Sequence, residues 1–211
     1  MLTLVARDVR VAWGEGGAVY PVAFFLLTAI LFPFAIGPDT ALLARVGGGV
    51  IWASALLAAL LPVERLVGPD AYGGTLDQLA VRGYSMALVA AAKLAAHWLS
   101  FAPPLMLAAV IAAGLLGLSG ETLLKVEIGL LIGTPGLAAL AVATSALVAG
   151  LRGAGAVAGL VMLPLAVPLL IFGSGSLEGG AGALKLLGAV SLVLVAGAPF
   201  VAGAAMRVGM E

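Results

Sequence analysis

Six stretches of this 211-residue chain contain no Asp, Glu, Lys or Arg, and they restrict its possible folds more than any other feature. They cover residues 16–38, 46–63, 94–120, 128–151, 153–177 and 186–206. An α-helix needs about 20 consecutive apolar residues to cross the hydrocarbon core of a bilayer. Each stretch suits one crossing and none suits two. The sequence therefore predicts six transmembrane helices.

The overall composition also indicates a membrane protein. Hydrophobic residues make up 63% of the chain and charged residues only 9%, whereas soluble domains carry about 25% charged residues. Closed β-barrels also span membranes, but their strands alternate apolar and polar positions. The continuous apolar runs ALLAALLPV and LVLVAGAPFV lack this alternation. We therefore predict an all-α membrane protein with a single transmembrane domain over residues 1–211.

The Lys and Arg residues predict the orientation of the chain, because cytoplasmic loops carry an excess of them. With a cytoplasmic N-terminus, most of these residues lie on the cytoplasmic side: Arg7, Arg10, Arg65, Arg82, Lys93, Arg152 and Arg207. The others lie on the opposite side: Arg45, Lys125 and Lys185. This distribution predicts that the N-terminus and the C-terminus are both cytoplasmic.

Residues 1–15 predict a short interfacial helix ahead of the first span. Arg7 and Arg10 fall on one face of such a helix, and its apolar side chains fall on the other. The apolar residues are Leu2, Val5, Val9, Ala12 and Trp13. A general membrane-entry segment and a specific docking element are both compatible with this pattern.

Glycine and proline recur inside the spans. The spacings Gly129–Gly133 and Gly155–Gly159 allow close approach of helices, and they indicate tight packing or a dimer seam. Several prolines are expected to kink or break their helices unless neighbours compensate for the lost hydrogen bond. They are Pro33, Pro103, Pro104, Pro135, Pro164 and Pro168.

The motifs of several enzyme classes are missing from the sequence. It contains no GxxxxGK[ST] loop for nucleotide phosphates, no HExxH and no GxSxG. It has no cysteine and one histidine, so it cannot supply the usual ligand sets of zinc or iron–sulfur sites. The formal net charge of zero also argues against a nucleic-acid partner. We therefore predict a chain that is not an enzyme and holds no metal.

The single histidine, His97, lies in the third uncharged stretch beside Trp98. An ionisable side chain within a membrane span is a candidate functional group. His97 follows Lys93 by four residues, which places it close to the cytoplasmic interface. We expect an interfacial histidine that is hydrogen-bonded to a neighbour, rather than a metal or haem ligand.

Residues 64–83, the coupling segment, concentrate charge between the second and third spans. Gly68-Pro69 and Gly73-Gly74 predict turns. Thr75 and Gln78 form the pattern of a capping box, which predicts a short helix over residues 76–82 that ends at Gly83. Leu76 and Leu79 share one face of it, which suits a membrane or partner contact. A helix that docks into another protein and a solvated loop are both compatible with this sequence.

Five ordered stretches resemble the haem exporter B family, CcmB. They are LFPFAIGPDTALLARVGGGVIWASALLA (31–58), ERLVGPDAYGGTLDQL (64–79), AAKLAAHW (91–98), LLIGTPGLA (130–138) and MLPLAVPLLIFGSGS (162–176). The resemblance covers nearly the whole chain. It implies an ABC-2-like permease subunit of an ABC-type transporter in the bacterial inner membrane, acting in cytochrome c maturation.

The resemblance also implies partners. ATP would be bound by a separate CcmA-like subunit, with the short helix of the coupling segment as the coupling helix in its groove. The residues that match this role are Glu64, Arg65, Asp70, Thr75, Asp77, Gln78 and Arg82. Further expected partners are a second copy of the chain, a CcmC-like haem-handling protein, a small CcmD-like protein and, indirectly, the periplasmic haem chaperone.

Haem is an expected cargo and not a tightly bound cofactor, because one histidine cannot form a bis-histidine site within one chain. Three alternatives stay open at this point. The first is an ABC-2-like permease for another lipophilic or polar substrate. The second is a scaffold of the cytochrome assembly complex that transports nothing. The third is an intramembrane enzyme, against which the lack of acidic and histidine residues on facing spans argues.

Overall fold

The computed structural model of the protein describes residues 1–14, 16–17, 19–151 and 153–210. Within these ranges, six helices are long and apolar enough to cross a membrane. They are α2 (Val19–Ile36), α3 (Thr40–Leu60), α6 (Met86–Leu115), α7 (Gly120–Val148), α8 (Ala154–Gly175) and α9 (Gly180–Val208). The predicted all-α fold with six spans is therefore confirmed.

Three shorter helices complete the described part of the chain: α1 (Leu2–Gly14), α4 (Val63–Tyr72) and α5 (Thr75–Val81). Helix α1 has no fully buried residue and packs on α6. Helices α4 and α5 connect α3 to α6 and contain most of the coupling segment. Arg152, which the orientation prediction counts as cytoplasmic, and Glu15, at the end of the predicted interfacial helix, lie outside the described residues.

Helices α3, α6 and α7 begin before the uncharged stretches that predict them. Arg45 lies inside α3, Lys93 inside α6 and Lys125 inside α7. The helices continue beyond the hydrocarbon core here, and long cationic side chains extend to the polar interface. The starts are set instead by side-chain caps, in which Asp39, Ser85 and Ser119 accept hydrogen bonds from the backbone N–H groups of Leu42, Leu88 and Thr122.

Both termini lie at the same end of the helix bundle as α4 and α5. Leu4 of α1 and Met210 pack against the buried cluster that contains Leu79 of α5 and Met206 of α9. An even number of crossings requires this arrangement. That this end faces the cytoplasm stays a prediction.

Helix α7 lies at the centre of the bundle, packed against α3, α4, α6, α8 and α9. Helices α2, α8 and α9 expose most of their apolar side chains on the outside of the bundle. Because lipid solvates such a surface, this arrangement fits a multi-pass membrane protein.

Trp52 of α3 inserts between α7 and α8 and is buried there. Its ring lies against Gly129 and Gly133 of α7 and against Gly173 of α8. A Cβ atom at Gly133 would lie 2.6 Å from the Cη2 atom of Trp52, so the glycines make the space for the ring. The Gly129–Gly133 spacing therefore serves packing within this chain.

The prolines do not end their helices. Pro33, Pro135 and the proline pairs of α6 and α8 all lie inside helices that continue on both sides of them. Pro69 of α4 and Pro199 of α9 do the same. Packing against neighbouring helices compensates for the hydrogen bond that each proline removes.

Candidate functional site

The coupling segment forms two helices, α4 and α5, which are separated by the predicted turn at Gly73-Gly74. Gly68-Pro69, expected to form a turn, lies within α4. This prediction is wrong because tertiary packing outweighs the local preference of proline. Val63, Val67 and Gly68 are buried, and the backbone N–H of Val67 donates a hydrogen bond to Ser145 Oγ of α7 at 3.1 Å.

Helix α5 begins and ends at glycines. Its N-cap is Gly74 in the left-handed conformation (φ 68°), without a side-chain cap, so the capping box of Thr75 and Gln78 is not formed. The predicted C-terminal stop is confirmed. Gly83 has φ 83°. Its N–H donates to the carbonyl oxygen of Ala80, and the N–H of Tyr84 donates to the carbonyl oxygen of Leu79. These two bonds form a Schellman motif.

The two faces of α5 differ in exposure. Leu76 and Leu79 are buried in a cluster with residues of α4, α6, α7 and α9. They therefore pack within the chain, and the predicted contact with a membrane or a partner is wrong. The side chains of Asp77, Gln78 and Arg82 are exposed, and Val81 is 90% exposed. The surface that α5 offers to another protein is therefore mainly polar.

Four charged residues from three helices form a compact ion network: Arg7 and Asp8 of α1, Asp70 of α4 and Lys93 of α6. Arg7 Nη2 lies 2.5 Å from Asp70 Oδ2 and 2.7 Å from Asp8 Oδ1. Lys93 Nζ pairs with Asp70 Oδ2 and lies 3.5 Å from Asp8 Oδ2. Two cations and two carboxylates balance each other, so three helices are joined by a neutral cluster.

Two residues of the ion network, Asp70 and Arg7, lie where the sequence analysis did not place them. Asp70 points into the bundle and bonds to Arg7 and Lys93, whereas Glu64 and Arg65 of α4 are exposed and Thr75 is half-buried. Arg7, expected on the same polar face of α1 as Arg10, is directed towards Asp70 of α4 instead. Electrostatic attraction to Asp70 is the physical reason for that reversal.

The network could not be found from sequence reasoning. Its contacts between helices join residues that are 63, 85 and 23 positions apart along the chain. No short motif links them. The one available signal was the presence of Lys93 in a largely apolar segment, since a cation that becomes buried needs a partner.

Helix α4 is tied to the bundle at several points along its length. Besides the bonds of Asp70 and Val67, the Tyr72 hydroxyl accepts a hydrogen bond from the backbone N–H of Gly150 at 3.0 Å. The carboxylate of Glu64 lies over Gly155 at the start of α8. These contacts connect α4 to α1, α6, α7 and the connection from α7 to α8.

A cleft of about 470 Å³, the network cleft, opens between α1, α4 and α6. The ion network, Arg65, His97 and Phe101 contribute to its walls. His97 is 7% exposed and stacks on Phe101 with ring centroids 5.5 Å apart. Its Nε2 atom has no hydrogen-bond partner among the described residues, so the expected hydrogen bond to a neighbour is not found.

Trp98, beside His97, has a different role. Its indole Nε1–H donates a hydrogen bond to Thr134 Oγ1 of α7 at 3.1 Å. This bond joins α6 to α7 inside the bundle. Within the part of the chain that the structure describes, no group of three or more His, Asp or Glu residues could hold a metal ion.

Comparison with known proteins places this arrangement in a family. A family model described as "CcmB protein" matches residues 1–209. A Rhodobacter capsulatus protein named Heme exporter protein B is 40% identical, with 100% of each chain covered. The protein of the same name from Haemophilus influenzae is 38% identical, with 100% of this chain and 98% of that protein covered. The one from Escherichia coli K12 is 36% identical, with 97% of this chain and 96% of that protein covered. The chain therefore belongs to the CcmB family.

Proposed function

We propose that the chain is the permease subunit of an ATP-driven haem exporter that supports cytochrome c maturation in the bacterial inner membrane. The observation that carries the proposal is the family match over residues 1–209, with relatives named Heme exporter protein B over their full length. Six helices long and apolar enough to cross a membrane fit a permease. The sequence has no phosphate-binding loop, so ATP is bound and hydrolysed by a separate CcmA-like subunit.

The CcmA-like subunit docks on the exposed face of α5 in this proposal. Asp77, Gln78 and Arg82 provide the contacts, because their side chains are exposed while the leucines of α5 are buried. Glu64, an exposed residue of α4, adds a further contact, whereas Arg65 is directed towards the Tyr20 ring of α2. Thr75 is half-buried at the start of α5 and contributes to the contact through the adjoining backbone.

Asp70 transmits the movement of the coupling segment to the spans. When the ATP-binding subunits close, they displace α5 and, through Gly73 and Gly74, α4. Because Asp70 bonds to Arg7 and Lys93, α4 carries α1 and α6 with it. Ser145 and Gly150 connect the same movement to α7. ATP binding thereby shifts the population between two arrangements of the spans.

The complete exporter contains two copies of this chain and two ATP-binding subunits. A CcmC-like protein handles haem, a small CcmD-like protein accompanies it, and the periplasmic haem chaperone receives haem from the complex. Haem is cargo and passes without a tight site in this chain, whose one histidine cannot supply two axial ligands.

Disruption of the docking surface tests the proposal. The chain is co-purified with the CcmA-like subunit, and ATP hydrolysis and haem release from the chaperone are measured. We expect Asp77→Lys with Gln78→Ala to weaken co-purification and to reduce haem release per ATP hydrolysed. Glu178→Lys is the matched control, since it changes an exposed carboxylate in the connection between α8 and α9.

Two outcomes would count against this role. If the double variant still bound the ATP-binding subunit and released haem normally, the coupling assignment would be wrong. If haem release continued without bound CcmA-like subunit, the chain would act as a scaffold and not as a permease.

A further inference from the structure

A second cavity continues from the network cleft along the outside of the bundle. This cavity, the α2 groove, has a volume of about 380 Å³ and is lined by Tyr20, Pro21, Ala23, Phe24, Leu27 and Leu61. It shares Gly17, Pro62 and Arg65 with the network cleft. Polar groups at one end and apolar side chains at the other therefore line one continuous concave surface.

The α2 groove opens towards lipid. Helix α2 is the least buried of the six spanning helices. Leu27 is largely exposed on the outside of the bundle, and Leu31 and Phe34 continue the exposed apolar surface along α2. A molecule can therefore enter the groove sideways from the bilayer.

Arg65 gives the junction of the two cavities a positive charge. The ion network is neutral, and Arg65 forms no ion pair with a residue in the described ranges 1–14, 16–17, 19–151 and 153–210. Its guanidinium lies 5.6 Å from the centre of the Tyr20 ring. This cation–π contact holds the charge at the junction of the cavities.

His97 provides an unpartnered polar group in the network cleft. The side chain is more than nine-tenths buried, and its Nε2 atom has no partner in the described part of the chain. A buried polar atom without a hydrogen bond is costly, and most such atoms in proteins are satisfied by protein, water or ligand. The imidazole lines the network cleft, so a bound molecule that displaced it slightly would supply the missing bond.

We infer that the two cavities together bind an anionic phospholipid from the surrounding bilayer. Its phosphate lies at Arg65 and reaches towards His97, and one acyl chain lies along Tyr20, Phe24 and Leu27. Cationic pockets between membrane helices bind anionic headgroups in this way, and the apolar groove adds the burial of the chain. The lipid joins the start of α2 to α4, beside the ion network.

Native mass spectrometry of the full chain tests this inference. The protein is released from nanodiscs that contain equal amounts of phosphatidylglycerol and phosphatidylcholine with identical acyl chains. We expect preferential retention of phosphatidylglycerol, reduced about fivefold by Arg65→Ala. Arg65→Lys should keep most of the preference. Arg10→Ala is the matched control, because Arg10 is exposed on the neighbouring helix α1 and does not line either cavity.

A second measurement separates the headgroup from the groove. Leu27→Ser should reduce retention of both lipids, since it alters the groove and leaves the cation in place. His97→Ala should lower retention of phosphatidylglycerol more than that of phosphatidylcholine. The unfolding temperature of each variant is measured alongside, and only variants that match the wild type in this respect are compared.

Several results would overturn the inference. Equal retention of the two lipids, or an unchanged preference in Arg65→Ala, would exclude a headgroup site. Displacement of phosphatidylglycerol by free glycerol phosphate at equal concentration would indicate a site for a soluble anion. Displacement by haem, with an absorbance band that His97→Ala removes, would assign the cavities to the cargo instead.

Discussion

The hydroxyl of Tyr72 accepts a hydrogen bond of 3.0 Å from the backbone N–H of Gly150. Tyr72 is the last residue of α4, and Gly150 lies in the connection from α7 to α8. The bond therefore joins the end of α4 to the connection that follows the central helix α7, by a route independent of the ion network. Because both residues are exposed, water competes for these groups.

The first prediction concerns this bond. Tyr72→Phe should speed amide hydrogen exchange at Gly150 by about fivefold, since a hydrogen bond of this kind contributes roughly 1 kcal/mol. Tyr84→Phe is the control, because Tyr84 is also an exposed tyrosine of the coupling region and lies outside this bond. Equal exchange in wild type and Tyr72→Phe would mean that the bond does not persist in the membrane.

The second prediction concerns Lys93 in the ion network. Lys93→Met leaves Asp8 and Asp70 with Arg7 as their one cation, so we expect a loss of about 3 kcal/mol in the free energy of unfolding. Denaturation by sodium dodecyl sulfate measures it. Lys125→Met removes an exposed ion pair with Glu121 and should cost less than about 1 kcal/mol. Similar losses in the two variants would show that the network is not a buried structural unit.

A double-mutant cycle extends this test to the pair itself. Asp70→Asn and Lys93→Met should be strongly non-additive, because each removes the same contact. Additive losses would argue against a direct pair between Asp70 and Lys93.

The third prediction uses the two faces of α5. Leu76→Asp places a carboxylate among buried apolar side chains and should prevent stable folding. Val81→Asp changes a residue that is 90% exposed and should leave the unfolding temperature unchanged, while it weakens binding to the CcmA-like subunit. Binding in a pull-down and thermal unfolding are measured together. A Val81→Asp variant that folds and still binds fully would remove this face from the docking surface.

The fourth prediction concerns the glycines. Gly133→Ala should destabilise the fold by about 1–3 kcal/mol, because its Cβ would overlap Trp52. Gly159→Ala should be neutral or stabilise the protein by up to about 1 kcal/mol, since nothing lies within 4 Å of the added carbon and alanine favours a helix. Trp52→Phe should partly rescue Gly133→Ala. If Trp52→Phe did not rescue Gly133→Ala, the destabilisation would not come from overlap with the ring of Trp52.

The sequence was sufficient to predict the elements whose signals are local. The uncharged stretches predicted six spans, and Gly83 predicted the end of α5, because hydropathy and a left-handed glycine act within a few residues. Helices α3, α6 and α7 begin earlier in the chain than the uncharged stretches do. The caps at Asp39, Ser85 and Ser119 determine those starts, and the continuity of apolar residues does not.

The features that the sequence did not predict depend on contacts between distant segments. Thr75 and Gln78 match a capping box, yet Gly74 caps α5, since the position of the chain after α4 sets the entry into the helix. The sequence indicates that Asp70 is a surface residue of the coupling segment, whereas in the structure it pairs with Arg7 and Lys93. Such pairs form only when the bundle brings the helices together.

The fit of Trp52 against three glycines also limits the order in which these positions can change during evolution. A larger residue at Gly133 or Gly173 is acceptable only after Trp52 has become smaller. A smaller residue in place of Trp52 leaves a cavity until one of the glycines is filled. Neither first step is neutral, so a lineage that carries this arrangement can leave it only through a destabilised intermediate.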